Sequence, residues 1–248
     1  MKSFIQRSLT LAFLMTVTLA VAAPAIAQRG DVWLFTDGPN TKIGLGVVDE
    51  AGTTLIPGVR TLQAILVPDT LPFSSFDYSA EEPGFRASAG DLPAAQSIAL
   101  TPIALSLWTD TGLVRAVGVA FDFDLPGGLS SDSHGALHEH PLFGLTASGS
   151  SLPDGVYVAD FTASTAGLDD SDLYRFVMLK DDRITNETDA GALIGSMEDY
   201  ENGGSAPVFG GKDFTFFEDA TTMATVPEPT AIVLAGWGLL LLSTYRRR

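Results

Sequence analysis

The sequence predicts a mainly β protein, a β-sandwich with one short helix, and three observations carry that reading. Eight short segments between residues 31 and 182 are rich in Val, Leu, Phe and Tyr and partly alternate apolar with polar residues, the pattern of half-buried strands. Turn clusters separate them, such as Asp37-Gly38-Pro39, Pro126-Gly127-Gly128 and Pro153-Asp154-Gly155, in which Gly accepts positive φ and Pro presets the bend. The chain is 46% hydrophobic and 9% aromatic, enough for a packed core and too apolar for wholesale disorder.

Taken in order, the chain opens with basic Lys2 and Arg7, an apolar run from Leu9 to Ala23, Pro24, and then Ala25-Ile26-Ala27. Basic end, apolar run and small-x-small site together predict a secretory signal helix over 1–27, cleaved before Gln28. An uncleaved anchor is the alternative, but the run is short for a membrane span. The predicted strands lie in 31–37, 42–49, 61–68, 97–109, 113–125, 137–148, 155–165 and 173–182. Eight strands with turn-rich joins suit a sandwich, with a jelly-roll layout among those open to it. Within 188–204, Ala192, Leu193, Met197 and Tyr200 recur at helical spacing, Thr188 offers an N-cap, and Asn202-Gly203-Gly204 supplies a stop, so one short helix is predicted there. The β domain is therefore expected over 28–202, with 203–225 as an extended piece and linker.

Charge and cysteine content narrow the function classes. The chain carries 14 basic and 30 acidic side chains. Without residues 1–27 and the tail from Pro227, five basic groups and one acidic group are lost, leaving −20 for residues 28–226. Such a surface repels phosphate backbones, which excludes nucleic acid as a partner and keeps an exported domain soluble. There is no cysteine, so packing rather than disulfides must hold the fold, and thiolate metal sites and nucleophiles are excluded.

The last segment is the most specific. Val226-Pro227-Glu228-Pro229 precedes an uncharged run from Thr230 to Tyr245, and Arg246, Arg247 and Arg248 close the chain. As a helix the run covers about 24 Å at roughly 1.5 Å per residue, short for a bilayer core of about 30 Å unless Tyr245 and the arginines extend it in the interface. The arginines stay cytoplasmic by the positive-inside rule, which leaves the β domain outside. Proline-flanked motif, apolar helix and basic end in this order resemble the PEP-CTERM protein-sorting signal. The resemblance implies recognition by an exosortase, cleavage near Pro227–Pro229, and sorting to the envelope or extracellular matrix of a Gram-negative bacterium. A permanent single-pass anchor remains the alternative. The stretches "DVWLF", "EEPGF" and "HEHPLFGL…LPDGVYVADFTAST…LDDSDLYRFVML" are similar to a group of exported PEP-CTERM proteins without an established activity, which supports one folded domain and says nothing of chemistry.

Candidate sites are few. All three histidines, His134, His138 and His140, fall in "SHGALHEHPLF". On a strand His138 and His140 share a face, so two imidazoles can bite one ion. His134 could complete the set if the turn at Gly135 returns it, as could Asp122 or Asp124 from a neighbouring strand. Copper, zinc or iron would suit such ligands. The acidic runs Asp169-Asp170-Ser171-Asp172 and Asp181-Asp182 lack the glycine and distal glutamate of an EF-hand and read as solvated turns. Asn186-Glu187-Thr188 matches a glycosylation acceptor by chance. No G-x-S-x-G or H-E-x-x-H pattern points to a hydrolase.

The sequence therefore predicts a non-enzymatic structural or exopolysaccharide-associated module. It would be handled by the Sec export machinery, signal peptidase and an exosortase, with the membrane touched through the C-terminal helix. The alternatives are a metal-binding protein or metalloenzyme using His138 and His140, or a permanently anchored periplasmic-side domain.

Overall fold

The computed structural model describes residues 30–224, apart from 38–41, 49–54, 58, 73, 110–111, 125–127 and 150. The signal-peptide residues Ala25, Ala27 and Gln28, the motif Val226-Pro227-Glu228-Pro229 and Arg246–Arg248 lie outside the described residues. Among the described residues, no helix is long and apolar enough to cross a membrane.

The chain is mainly β, as expected, but it is cut into more and shorter strands than the eight predicted. Strands β1 (Val32–Asp37) and β2 (Lys42–Val48) pair antiparallel, from Val32 opposite Val47 to Asp37 opposite Lys42. Strand β3 (Leu55–Pro57) extends this sheet beyond β2, and β7 (Phe85–Ala87) runs parallel to β1 on the other side. Strand β12 (Leu137–Glu139) closes it, giving the order β12-β7-β1-β2-β3. A four-stranded sheet contains β10 (Val119–Asp124), β13 (Leu142–Ala147), β6 (Tyr78–Ala80) and β5 (Val67–Pro68). The largest sheet runs β11 (Leu129–Ser130), β8 (Ser97–Thr109), β14 (Gly155–Thr165), β15 (Tyr174–Lys180), β4 (Thr61–Ile65), with β9 (Gly112–Arg115) also on β8.

Two predicted strands break in the middle, and each break moves the chain between sheets. The segment 113–125 stops at Ala116-Val117-Gly118, where Gly118 has φ +74°, so β9 and β10 fall in different sheets. The segment 137–148 stops at His140-Pro141, since Pro141 has no N–H with which to continue a ladder. Strand β12 then belongs to the β1 sheet and β13 to the β10 sheet.

The largest sheet is covered on both faces. Tyr157, Ala159, Phe161 and Ala163 of β14, with Tyr174, Phe176 and Met178 of β15, pack into one core with Val32, Leu34, Leu45, Phe85, Phe121 and Phe143 from the other two sheets. Phe176 stacks on Phe143 at 4.6 Å between ring centres and on Phe161 at 4.8 Å, with Phe121 edge-on at 6.3 Å. The alternate residues Val156, Val158, Val177 and Leu179 face a second core built with two helices. That is why β14 and β15 read as nearly continuous apolar runs: strands buried on both faces have no solvent side to keep polar.

Helix α1 (Glu187–Glu201) is the predicted helix with a different start. Asn186, not Thr188, is the N-cap: its side chain accepts from the backbone N–H of Asp189, and the Asp189 carboxylate accepts from the N–H of Thr185. This reciprocal pairing satisfies one of the helix's unpaired donors and ties the residue before the cap to its first turn. It also explains Asn186-Glu187-Thr188 as a helix start. Ala190, Leu193 and Met197 face the core, whereas Ala192 and Tyr200 are exposed. Gly203, at φ +87°, follows the C-cap as expected.

The expected linker is corrected by the structure. Residues 203–225 contain the hairpin β16 (Val208–Phe209) and β17 (Lys212–Asp213), followed by helix α2 (Thr215–Ala224). Phe217, Ala220, Thr221 and Ala224 are buried on one stripe of α2, at the i, i+3, i+4, i+7 spacing of a docked helix. Arg175, held by Asp160 at 2.6 Å, donates at 2.6 Å to the carbonyl of Ala224 and satisfies the C-terminal end of the helix. The packed structure thus continues to at least Ala224, and the boundary at 202 does not hold. Phe217→Ala should destabilise the domain by about 3–5 kcal/mol, read as a lower urea midpoint with an unchanged slope. A change under about 0.5 kcal/mol, the ordinary range for surface substitutions, would show that this stretch is a linker after all.

Candidate metal centre

His138 sits on β12 directly opposite Arg86 of β7, which in turn lies beside Trp33 of β1. His140 follows one residue after the strand ends. Its ring lies against Gly84, where an added Cβ would come within 2.6 Å of the imidazole. The carbonyl of Gly84 accepts from Val32 N–H at 2.8 Å, and this bond holds the 81–84 loop against the start of β1. Asp31, the residue before β1, is thereby brought beside both histidines.

The Nε2 atoms of His138 and His140 are 3.2 Å apart. Asp31 Oδ2 lies 3.7 Å from His138 Nε2, and one ligand atom from each of the three residues falls within 4.8 Å of the others. With metal–nitrogen bonds of about 2.0–2.1 Å, a 3.2 Å separation subtends roughly 100° at an ion, close to tetrahedral. A tetrahedral edge at those bond lengths is about 3.4 Å, close to the 3.7 Å between Asp31 and His138. His138 is 62% exposed, His140 35% and Asp31 17%, so an ion here would keep positions open to water.

Glu82 stands beside the other ring nitrogen of His140. Its Oε1 lies 3.1 Å from Nδ1, while its Oε2 accepts from the N–H of Gly84 at 3.2 Å. With a hydrogen on Nδ1 directed at Glu82, the Nε2 lone pair would face His138, the arrangement in which a carboxylate orients a metal-binding imidazole. The same loop approaches the start of α1: burial pushes the Glu187 carboxyl above its ordinary range, and Glu81 and Glu82 add to the shift.

Of the residues singled out from sequence, the structure brings together His138 and His140 and leaves out the rest. Asp122 and Asp124 face Gly144 and Leu142 of β13 in another sheet, because the break at Pro141 separates β13 from β12. His134 belongs to a turn in which Asp132 accepts from the N–H of His134 and of Ala136. Gly135 in that turn has φ +78° and packs so closely on the Leu92 carbonyl that a Cβ would lie 2.1 Å from it. The turn docks on residues 90–92 and does not return His134 to the pair. Asp31 is the candidate ligand that sequence reasoning missed. It lies 107 positions from His138, and only the long-range pairing of β1 with β7 and of β7 with β12 unites them.

In the acidic runs Asp169 and Asp170 are exposed, as the sequence reading expects, whereas Asp172, Asp181 and Asp182 are paired with protein cations. Asp172 pairs with Lys42 and Arg60; burial alone would raise its pKa, but the two cations hold it below the usual range. Fully buried Asp181 pairs with Lys212 and with Arg183 at 3.1 Å. Asp182 pairs with Lys180 and accepts from Tyr78 at 2.9 Å. These carboxylates are already satisfied by protein cations.

No family model and no curated protein matches the chain. Among solved structures it is similar, over 53% of its length, to a family 123 glycoside hydrolase from Clostridium perfringens described for glycolipid glycan hydrolysis. The identity is 8%, the TM-score 0.25, and the match spans 24% of that enzyme. A likeness of that size carries no argument about this chain.

If Glu82 orients His140 for an ion, Glu82→Ala should weaken zinc or copper binding about 10–100-fold, measured by competition with a chromophoric chelator. Glu82→Gln, which keeps an acceptor, should lose less. Equal affinity in all three proteins would show that Glu82 has no part in the centre.

Proposed function

We propose that this chain is an exported cell-envelope or matrix protein whose β domain binds one divalent transition-metal ion through Asp31, His138 and His140. The observation that carries the binding reading is the 3.2 Å convergence of two Nε2 atoms, joined by a carboxylate from the residue that leads into β1. Imidazole ligands favour zinc, copper or iron over calcium. Three protein ligands with open positions could serve a binding module or a metalloenzyme. The absence of any recognised hydrolase motif from the sequence supports the first. The same reading takes the packed sheets as a β-sandwich.

Elemental analysis of the purified full chain after metal loading should find one equivalent of zinc or copper. The ion should be lost in His138→Ala/His140→Ala, strongly weakened in Asp31→Asn, and retained in His134→Ala and in Asp122→Asn/Asp124→Asn. A metal-free wild-type chain that is fully folded by circular dichroism overturns the proposal.

The location part of the proposal is supported by sequence alone: the signal-peptide pattern at Ala25–Gln28, and the resemblance of Val226 to Arg248 to an exosortase sorting signal. On this reading the tail is an address, removed once the domain has reached the outer face of the inner membrane. Mass spectrometry of the protein from its own cells should find a chain ending near Pro227–Thr230 in the envelope or medium. A chain intact through Arg248 in the inner-membrane fraction overturns sorting and leaves a permanently anchored domain.

A further inference from the structure

The outer face of the β12-β7-β1 sheet places a guanidinium beside the candidate metal. Arg86 shares one cross-strand row with His138 and Trp33. Its guanidinium carbon lies 5.3 Å from the centre of the Trp33 ring, a cation–π contact. Trp33 is itself fixed, since its indole N–H donates to Asp91 at 2.7 Å. The nearest carboxylate to Arg86 is Asp31, with Nη1 3.9 Å from Oδ2. That is too long for a hydrogen bond. Among the described residues the Arg86 guanidinium makes none, although it carries five donors in a planar fork. Stacking therefore holds Arg86 in place without using its N–H groups.

We infer that the metal and Arg86 form one binding position for a carboxylate-bearing ligand, an inference that rests on the metal reading above. Asp31 would lie one bond length from the ion, so the ion and the Arg86 Nη1 share this carboxylate as a common neighbour. A ligand carboxylate can place one oxygen on an open coordination position and turn the other toward the guanidinium fork. A planar two-oxygen anion suits this better than a tetrahedral one, because the fork is planar and presents paired donors. The ion supplies affinity, and Arg86 supplies selection for geometry.

The test uses the full chain loaded with cobalt(II), whose visible spectrum reports a change of ligands, and acetate as the probe. Acetate should change the spectrum saturably. In Arg86→Gln its affinity should fall about tenfold or more, while cobalt affinity stays level or rises, because a neighbouring positive charge has been removed. Sulfate should bind more weakly than acetate to the wild type and should be less sensitive to Arg86.

A wild type that binds cobalt but shows no response to acetate overturns the inference and leaves the metal centre standing. An unchanged acetate affinity in Arg86→Gln removes Arg86 from the position. Sulfate binding as tight as acetate, with the same dependence on Arg86, overturns the carboxylate assignment. A wild type without cobalt bands before any acetate is added removes both readings together.

Discussion

The stack of Phe143 on Phe176, with Phe161 on the other side of Phe176, is the contact around which the domain is arranged. Phe143 belongs to the four-stranded sheet, and Phe161 and Phe176 to the largest one. Each ring is fully buried, and a buried Phe side chain contributes about 1.5–3 kcal/mol. Without cysteines, cross-links cannot fix how the layers sit, so interdigitated aromatics must do so. Phe121 and Phe123 approach the same group edge-on. The curled sheets therefore close over a single aromatic centre, and the loops at the sheet edges inherit their positions from it.

The candidate centre depends on that arrangement through two local devices. Pro141 ends β12 and sends the chain into the sheet that holds Phe143, which leaves His140 off the ladder and free to turn toward His138. Gly84 then accepts the ring, since any side chain there would occupy its place. The Val32–Gly84 backbone bond carries Asp31 into reach. None of these three features is itself a ligand. Each is a consequence of how the core strands end.

Much of this was legible in the sequence, and what was not has a physical reason. Strands β1, β2, β8, β14 and β15 stood out because their apolar content is set locally by burial. The two-residue and three-residue strands did not, because too few residues repeat to show a period. Helix α2 was hidden by its acidic and threonine content, although Phe217, Ala220, Thr221 and Ala224 do fall on one helical stripe. The His138/His140 pair could be read because spacing along one strand determines a shared face. Asp31 could not, since pairing between β1, β7 and β12 is decided by the whole core. Asp122 and Asp124 misled because a single sheet was assumed where Pro141 divides two.

Charge gives the last step. In a domain with so large an acidic excess, cations are scarce, and most are committed. Lys42 and Arg60 serve Asp172, Arg175 serves Asp160 and the end of α2, and Lys180 is buried between Asp154 and Asp182. Arg183 and Lys212 serve Asp181. Burial alone would lower the Lys180 pKa, yet its two carboxylates raise it, so these pairs are charged across the physiological range. Arg86 is used differently: it rests on an aromatic face with its carboxylate neighbour beyond hydrogen-bond distance. The other paired cations each meet an aspartate more closely than 3.9 Å, whereas this one stands on an aromatic face beside two converging imidazoles. A guanidinium whose donors are not taken up by hydrogen bonds among the described residues, beside a candidate ligand set, is placed to meet a group from outside.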